Sequence, residues 1–132
     1  MHLANRLAVA AFALGLTMAP AFAADPTGTD PTGTWQSTTG ESQYKVTYCG
    51  NGKQLCAKLT WLRDDAKTED NLALLGRYVV KGAVATDENQ WEGALKYNGD
   101  TYAGSVTMVS TNAMKLSGCK GIFCQTMKFN RL

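Results

Sequence analysis

Apolar and polar residues alternate with a period of two along most of the chain beyond residue 32. β-Branched and aromatic residues occupy alternate positions, glycine and asparagine interrupt the runs, and no window carries a long helical period. This pattern predicts eight strands, at residues 33–37, 43–49, 55–62, 77–85, 90–97, 101–110, 113–119 and 124–131. We therefore expect an all-β domain.

The first long hairpin is predicted from two runs that flank a glycine-rich turn. If Cys49 faces Cys56 across an antiparallel pair, every inward pair is apolar or aromatic, and lysine and threonine take the outer face. A slip of one residue would mix the two faces. The inward pairs of this register are Tyr48 with Ala57, Val46 with Leu59, and Tyr44 with Trp61.

Two further hairpins show the same division into an apolar and a polar face. Asn98-Gly99 predicts a type I′ turn, whose two central residues both need positive φ. In the last hairpin, the expected pair is Cys119 with Cys124. The Asn98-Gly99 turn gives the inward pairs Leu95 with Tyr102, Gly93 with Gly104, and Trp91 with Val106. The Cys119–Cys124 pair gives Leu116 with Met127 and Met114 with Phe129.

Eight short sequential strands with one apolar face each favour a sheet that closes on itself, because closure leaves no free edge. We predict a small eight-stranded antiparallel up-and-down β-barrel, with a small sandwich as the alternative. Arg131 alternates in phase with Met127 and Phe129, the inward residues of the last strand, and is expected to pair with the first strand near Trp35. The guanidinium is therefore expected to stack on the indole where the barrel closes.

The N-terminus has the pattern of a secretory signal peptide, assigned to residues 1–23. Arg6 precedes an apolar run from Leu7 to Met18, and Ala21-Phe22-Ala23 fits the rule for cleavage after Ala23. Pro20 interrupts the run before it reaches the roughly 20 residues that span a bilayer. We expect export to the periplasm, or secretion, and no transmembrane segment in the mature form.

A duplicated Asp-Pro-Thr-Gly-Thr segment follows the predicted cleavage site. Both copies are rich in turn-forming residues and lack apolar ones, and the second copy leads into Trp35. Residues 24–32 are therefore predicted to form a flexible leader, and residues 33–132 a single barrel domain.

The composition after the signal peptide disfavours several functions. The only histidine is His2, so the mature chain has no imidazole for a catalytic triad or for the commonest kind of zinc site. Twelve Lys and Arg against eleven Asp and Glu give a mature charge of +1, without a basic run for phosphates. We predict no enzyme activity, catalytic residue, metal, cofactor or nucleic-acid partner.

Four cysteines allow three disulfide connectivities. The hairpin registers place Cys49 near Cys56 and Cys119 near Cys124 on the polar face, so two local bridges are expected. Neither spacing is the Cys-x-x-Cys motif of redox-active pairs. The bridges are therefore predicted to stabilise hairpins.

The segment from Arg63 to Asn71 contains four carboxylates, which are Asp64, Asp65, Glu69 and Asp70. Their spacing lacks the order of a calcium loop, and sequence proximity does not supply two carboxylates across a cleft. A solvated loop is the favoured interpretation, and a lid over the barrel mouth is the alternative.

The inward aromatic residues form the candidate ligand site. An eight-stranded barrel either fills with side chains or holds one small ligand. Gly93 opposite Gly104 suggests space beside Trp91, although the indole itself is an alternative occupant. The candidate ligand-binding residues are Tyr44, Tyr48, Trp61, Trp91, Leu95 and Tyr102.

Taken jointly, several motifs resemble the bacterial DUF2147 family, over about residues 31–132. Ala57 and Phe129 depart from that family's pattern, which has glycine and tryptophan near these positions. The resemblance implies an exported protein with a lipocalin-like barrel and implies no activity. The motifs are Gly33-x-Trp35, Tyr48-Cys49-Gly50, Leu55-Cys56-Ala57-Lys58-Leu59, Trp61-Leu62, Asp70-Asn71, Leu74-Leu75-Gly76, Trp91-x-Gly93, Tyr97, Tyr102, Lys115-Leu116-x-Gly118-Cys119 and Asn130-Arg131.

Two functional hypotheses follow. The first is a non-catalytic periplasmic binding protein that holds a small apolar or amphipathic molecule in the barrel mouth. The second is an envelope interaction module that binds another protein through its outer surface or loops. A cavity above roughly 300 Å³ would favour the first, and a filled interior would favour the second.

Overall fold

A computed structural model describes residues 29–97 and 99–132. The predicted signal peptide, most of the predicted leader and Asn98 lie outside the described residues. Each predicted strand is present, with boundaries within two residues of those expected. The strands are β1 (Gly33–Ser37), β2 (Ser42–Cys49), β3 (Gln54–Leu62), β4 (Tyr78–Asp87), β5 (Gln90–Tyr97), β6 (Asp100–Ser110), β7 (Ala113–Lys120) and β8 (Phe123–Arg131).

The eight strands form one closed antiparallel barrel in sequence order. Each strand pairs with the next, and β1 pairs with β8 so that Trp35 lies opposite Arg131. The predicted up-and-down barrel is confirmed, and the alternative sandwich is wrong. Because the sheet is closed, every strand has a hydrogen-bonded neighbour on each side, and no strand has a free edge.

Connections alternate between the two ends of the barrel. The β2–β3, β4–β5 and β6–β7 turns share one end with residues 29–32, and we call it the sealed end. The β1–β2, β5–β6 and β7–β8 turns lie at the other end with the long β3–β4 loop. We call this the loop end.

The registers of the β5–β6 and β7–β8 hairpins are confirmed. Leu95 lies opposite Tyr102 and Gly93 opposite Gly104, while Cys119 lies opposite Cys124. Gly99 has a φ of 76°, as the predicted tight turn requires. The pattern of apolar residues was sufficient here because both turns contain only two residues.

The predicted register of β2 and β3 is wrong by two residues. Tyr48 lies opposite Leu55, and Thr47 rather than Cys49 lies opposite Cys56. Gly50 and Gly52 both have positive φ, which lets the chain reverse in fewer residues than expected. Because the shift is even, the apolar side chains of this part of the hairpin keep their inward orientation.

The orientation predicted for Trp61 is wrong. A bulge at Gln43 and Tyr44 shifts the register, so that Tyr44 lies opposite Leu59 and Gln43 opposite Trp61. One extra residue reverses the alternation of faces. Leu62 therefore points inward, and Trp61 lies on the outer wall with 41% of its surface exposed.

The inward side chains fill the barrel with one apolar core. Tyr44, Tyr102, Leu116 and Met127 pack against it from partly buried positions. The buried core residues are Trp35, Val46, Leu55, Leu59, Leu62, Ala66, Val79, Val80, Ala83, Trp91, Leu95, Val106, Met108, Met114 and Phe129.

The β3–β4 loop contains a short helix that the sequence pattern did not predict. A 3₁₀ turn at Asp64–Ala66 precedes the helix α1 (Glu69–Leu74). The Thr68 hydroxyl caps α1 by accepting a hydrogen bond from the Asn71 amide at 3.2 Å. Ala66 is buried, whereas α1 itself buries no residue.

Both expected disulfides are present, Cys49–Cys56 and Cys119–Cys124. The second joins directly opposite residues, and the first joins diagonal neighbours because of the shifted β2–β3 register. Cys56 is only 5% exposed, and its sulfur accepts a hydrogen bond from the Gly82 amide at 3.3 Å. The first bridge is therefore more deeply packed than expected.

Candidate functional site

The sealed end is closed by Trp35 and by residues 29–32. Pro31 is fully buried, and its carbonyl accepts a hydrogen bond from the Trp35 indole at 2.9 Å. The amide of Thr29 donates to the Asn89 side chain at 2.8 Å. The described part of the predicted leader is thus packed on the barrel, and the folded domain includes residues 29–32.

Arg131 joins the chain segments of the sealed end. Its guanidinium carbon lies 4.4 Å from the centre of the Trp35 ring. The same group donates hydrogen bonds to the carbonyls of Asp30, Thr32 and Thr111. The planar guanidinium has five donors, enough to bond all three carbonyls while it lies on the Trp35 ring. These contacts close the sealed end.

Three small spaces lie inside the barrel, with volumes of about 30, 20 and 80 Å³. The first two are lined almost entirely by apolar side chains, and Leu116 borders all three. The smallest has room for about one water molecule, and even the largest is far below the roughly 300 Å³ of a small-molecule pocket. The barrel is therefore close to filled.

The expected gap at Gly93 and Gly104 is not present. A Cβ atom on Gly93 would lie 3.0 Å from the Cα of Ala83, and one on Gly104 would lie 3.1 Å from the Leu95 side chain. A Cβ on Gly118, the next residue in this row, would also meet Leu95 at 3.0 Å. These glycines permit close packing and do not create a cavity.

The structure separates the six candidate ligand-binding residues. Trp91 and Leu95 are buried in the core, and the Trp91 indole nitrogen has no hydrogen-bond partner among the described residues. Tyr44 and Tyr102 are partly buried and border different spaces. Tyr48 and Trp61 are 37% and 41% exposed. The six therefore do not form one site.

The 80 Å³ space, which we call the mouth space, lies under the β3–β4 loop. Leu62, Ala66 and Leu74 supply apolar surface, while Glu41 and Lys96 lie at its edge. The Tyr44 ring also borders it, and burial raises the pKa of the Tyr44 hydroxyl. Charged residues border this space, whereas none borders the other two.

Two of the four carboxylates of the β3–β4 loop are paired with basic residues of the same loop. Arg63 donates two hydrogen bonds to Asp65, at 2.6 and 2.9 Å, and a third to the carbonyl of Thr39. The bond from Arg63 lowers the pKa of Asp65. Asp64 pairs with Lys67 at 2.9 Å. The described residues contain no group of three potential metal ligands.

The loop end carries an apolar tip that sequence reasoning missed. Ile122 and Phe123, at the β7–β8 turn, are 91% and 76% exposed. The adjacent Cys119–Cys124 bridge fixes this hairpin, and Lys120 pairs with Asp100 beside it at 3.0 Å. Two apolar residues in a turn were the available signal, because turns normally carry polar residues. We call Ile122 and Phe123 the hairpin tip.

Within the described residues, no helix has the length and apolar character needed to cross a membrane. A search of curated proteins gives no match to this chain. A solved structure of a redesigned β-barrel is 16% identical, with a TM-score of 0.49 over 76% of this chain and 90% of that one.

Residues 33–131 match the family described as "Uncharacterized protein conserved in bacteria (DUF2147)". This span includes all eight strands, both disulfides and the Trp35–Arg131 contact. The chain therefore belongs to the DUF2147 family.

Proposed function

We propose that this protein is an exported, non-catalytic interaction module, whose barrel is a scaffold and whose loop end binds another envelope protein. The exposed hairpin tip is the observation that carries the proposal. The small interior spaces support it, because they leave no volume for a whole small molecule.

The hairpin tip has the properties of a binding anchor. Exposed Ile and Phe side chains give no stability to the barrel, but they gain free energy when a partner covers them. The Cys119–Cys124 bridge holds them in place before binding, which lowers the entropy cost of association. The Lys120–Asp100 pair supplies the polar border that is typical of protein interfaces.

A protein pocket suits this end better than an anionic membrane surface. The β3–β4 loop brings four carboxylates to the loop end, and two of them, Glu69 and Asp70, have no basic partner among the salt bridges described. The same loop carries three basic residues, so it has no positive excess that would attract anionic lipid. The partner is therefore a protein with an apolar pocket for Ile122 and Phe123.

Export and the absence of catalysis are also parts of this proposal. Two disulfides are typical of proteins from oxidising compartments, and the described residues show no membrane-spanning helix. The lack of histidine after residue 2 supports a non-catalytic role. N-terminal sequencing of protein from the periplasm should give Ala24 as the first residue.

Site-specific photo-crosslinking in the source bacterium tests the proposed function. A photoreactive phenylalanine at position 123 should give one discrete protein adduct on illumination. The same group at Val109, an exposed position near the sealed end, should not give that adduct. Equal adducts at both positions, or no adduct at position 123, would contradict the proposal.

A variant without the tip provides the complementary test. Ile122→Ser with Phe123→Ser should abolish co-purification of the crosslinked partner. Unfolding free energy should change by less than about 1 kcal/mol, because both side chains are exposed. Retained partner binding in this folded variant would show that the contact lies elsewhere.

A second candidate function is supported by the mouth space. The apolar end of an amphipathic molecule enters there if the β3–β4 loop moves aside, which separates the partly buried Leu74 of α1 and the buried Ala66 from the core. Leu116 borders all three interior spaces, so its removal would join them.

Leu116 variants decide whether the interior binds a ligand. Under this second function, Leu116→Ala should bind laurate about tenfold more tightly, because two further CH₂ groups become buried. Leu116→Phe should abolish binding, and Val109→Ala should not change it. Absence of laurate binding by the parent and by Leu116→Ala would exclude this function.

A further inference from the structure

Trp61 lies on the outer wall of the barrel, where it is not part of the apolar core. The β2–β3 bulge turns this side chain away from the core, and it remains 41% exposed. Bulges commonly re-aim a side chain beside a functional site. An exposed indole offers a large, rigid, flat surface with one hydrogen-bond donor.

Three amide side chains extend the same surface away from Trp61. Strand pairing places Trp61 opposite Gln43, Gln43 opposite Gln36, and Gln36 opposite Asn130. A hydrogen bond of 3.0 Å from Gln43 to Gln36 shows that both side chains share the outer face. We call these four residues the outer row, and it crosses four strands, or roughly 14 Å.

A groove of about 390 Å³ lies on the other side of Trp61, towards the β3–β4 loop. Thr60, Trp61 and Leu75 supply its neutral surface. Its charged side chains are already paired, Lys67 with Asp64 at 2.9 Å and Arg63 with Asp65 at 2.6 Å. The groove therefore combines many hydrogen-bonding atoms with little net charge.

We propose that the Trp61 groove and the outer row bind a neutral saccharide. The C–H face of a pyranose ring packs on an indole, while its hydroxyls need paired donors and acceptors, which primary amides provide. Because the ion pairs of the groove leave it no strong excess charge, an anionic ligand gains little in the groove. A purely apolar ligand would leave the three amides unsatisfied.

The saccharide proposal is independent of the hairpin tip. Both sites lie towards the loop end, but Trp61 is on β3 and the tip is between β7 and β8, so they share no residue. Loss of one binding function therefore need not affect the other, and their tests fail separately.

Tryptophan fluorescence gives a direct test with the full disulfide-bonded protein. Trp35 and Trp91 are buried, so quenching by acrylamide reports on Trp61. At least one of cellohexaose, maltohexaose and chitohexaose should protect Trp61 from quenching and bind measurably by calorimetry. No binding by any of the three at millimolar concentration would overturn the proposal.

Variants then locate the site. Trp61→Ala should weaken binding at least about tenfold, the loss expected for one aromatic contact. Trp61→Phe should restore part of the affinity, and Gln43→Ala should weaken it without unfolding the barrel. Tyr78→Ala is the matched control, because Tyr78 is another exposed aromatic residue on the neighbouring strand and its loss should have no effect. Equal affinity in Trp61→Ala, or preferred binding of a proline-rich peptide, would contradict the assignment.

Discussion

Single residues set both the closure of the barrel and the position of its exposed surfaces. The sequence alone assigned Arg131 to the barrel closure. It alternates in phase with the inward residues of the last strand, and it lies opposite Trp35 when the predicted sheet closes. Its three carbonyl acceptors could not be assigned in this way, because they depend on where residues 29–32 and the β6–β7 turn lie in space. Local patterns specify which way a side chain points, whereas contacts between distant segments require the fold.

Arg131→Lys should destabilise the protein by about 2–3 kcal/mol, because a lysine cannot bond three carbonyls and cover the Trp35 ring at once. Urea unfolding followed by tryptophan fluorescence measures this loss. Lys128→Ala on the outer face of the same strand should change stability by less than about 0.5 kcal/mol. Equal effects of the two substitutions would mean that Arg131 does not hold the sealed end.

The buried Tyr44 hydroxyl is expected to make the folded protein less stable at alkaline pH. Burial raises its folded-state pKa above the ordinary value of 10.0, so the neutral hydroxyl is the form that the fold accepts. Its contribution is complete below the unfolded pKa and is lost as pH rises through the folded pKa.

The test for Tyr44 compares unfolding free energies between pH 9 and about pH 11.5. The unfolding free energy of Tyr44→Phe should decline less steeply than that of the parent. Parallel curves for the parent and Tyr44→Phe would show that the buried hydroxyl does not contribute.

At the scale of elements, turn length decided which hairpin registers could be predicted. The β5–β6 and β7–β8 strands meet at two-residue turns, so alternation alone fixed their pairing. Alternation cannot distinguish registers that differ by two, and this ambiguity caused the error in β2–β3. The bulge that exposes Trp61 is a one-residue irregularity with no signature in the apolar pattern.

The two disulfides should differ in their contribution to stability. Each closes a short loop and is expected to stabilise by about 2–2.5 kcal/mol. Replacing Cys49 and Cys56 by alanine should cost more than replacing Cys119 and Cys124, because Cys56 is buried and accepts the Gly82 hydrogen bond. Urea midpoints of the two double variants measure the order, and the reverse order would contradict the packing described here.

At the scale of the whole molecule, the sequence predicted the barrel well and the filling of its interior and its exposed apolar surface poorly. Closure follows from eight short strands and one apolar face, which are local properties. The filling of the interior depends on which residues meet across the barrel, such as Leu95 over Gly104 and Gly118. Exposure of Ile122 depends on a turn having no neighbour to cover it.

Native mass spectrometry of the protein, purified from its source bacterium without detergent, tests most directly whether the barrel is a scaffold. We predict a single mass for the mature chain with two disulfides and no retained small molecule. A stoichiometric small molecule in the parent that is absent from Leu116→Phe would place a ligand inside the barrel and contradict the account.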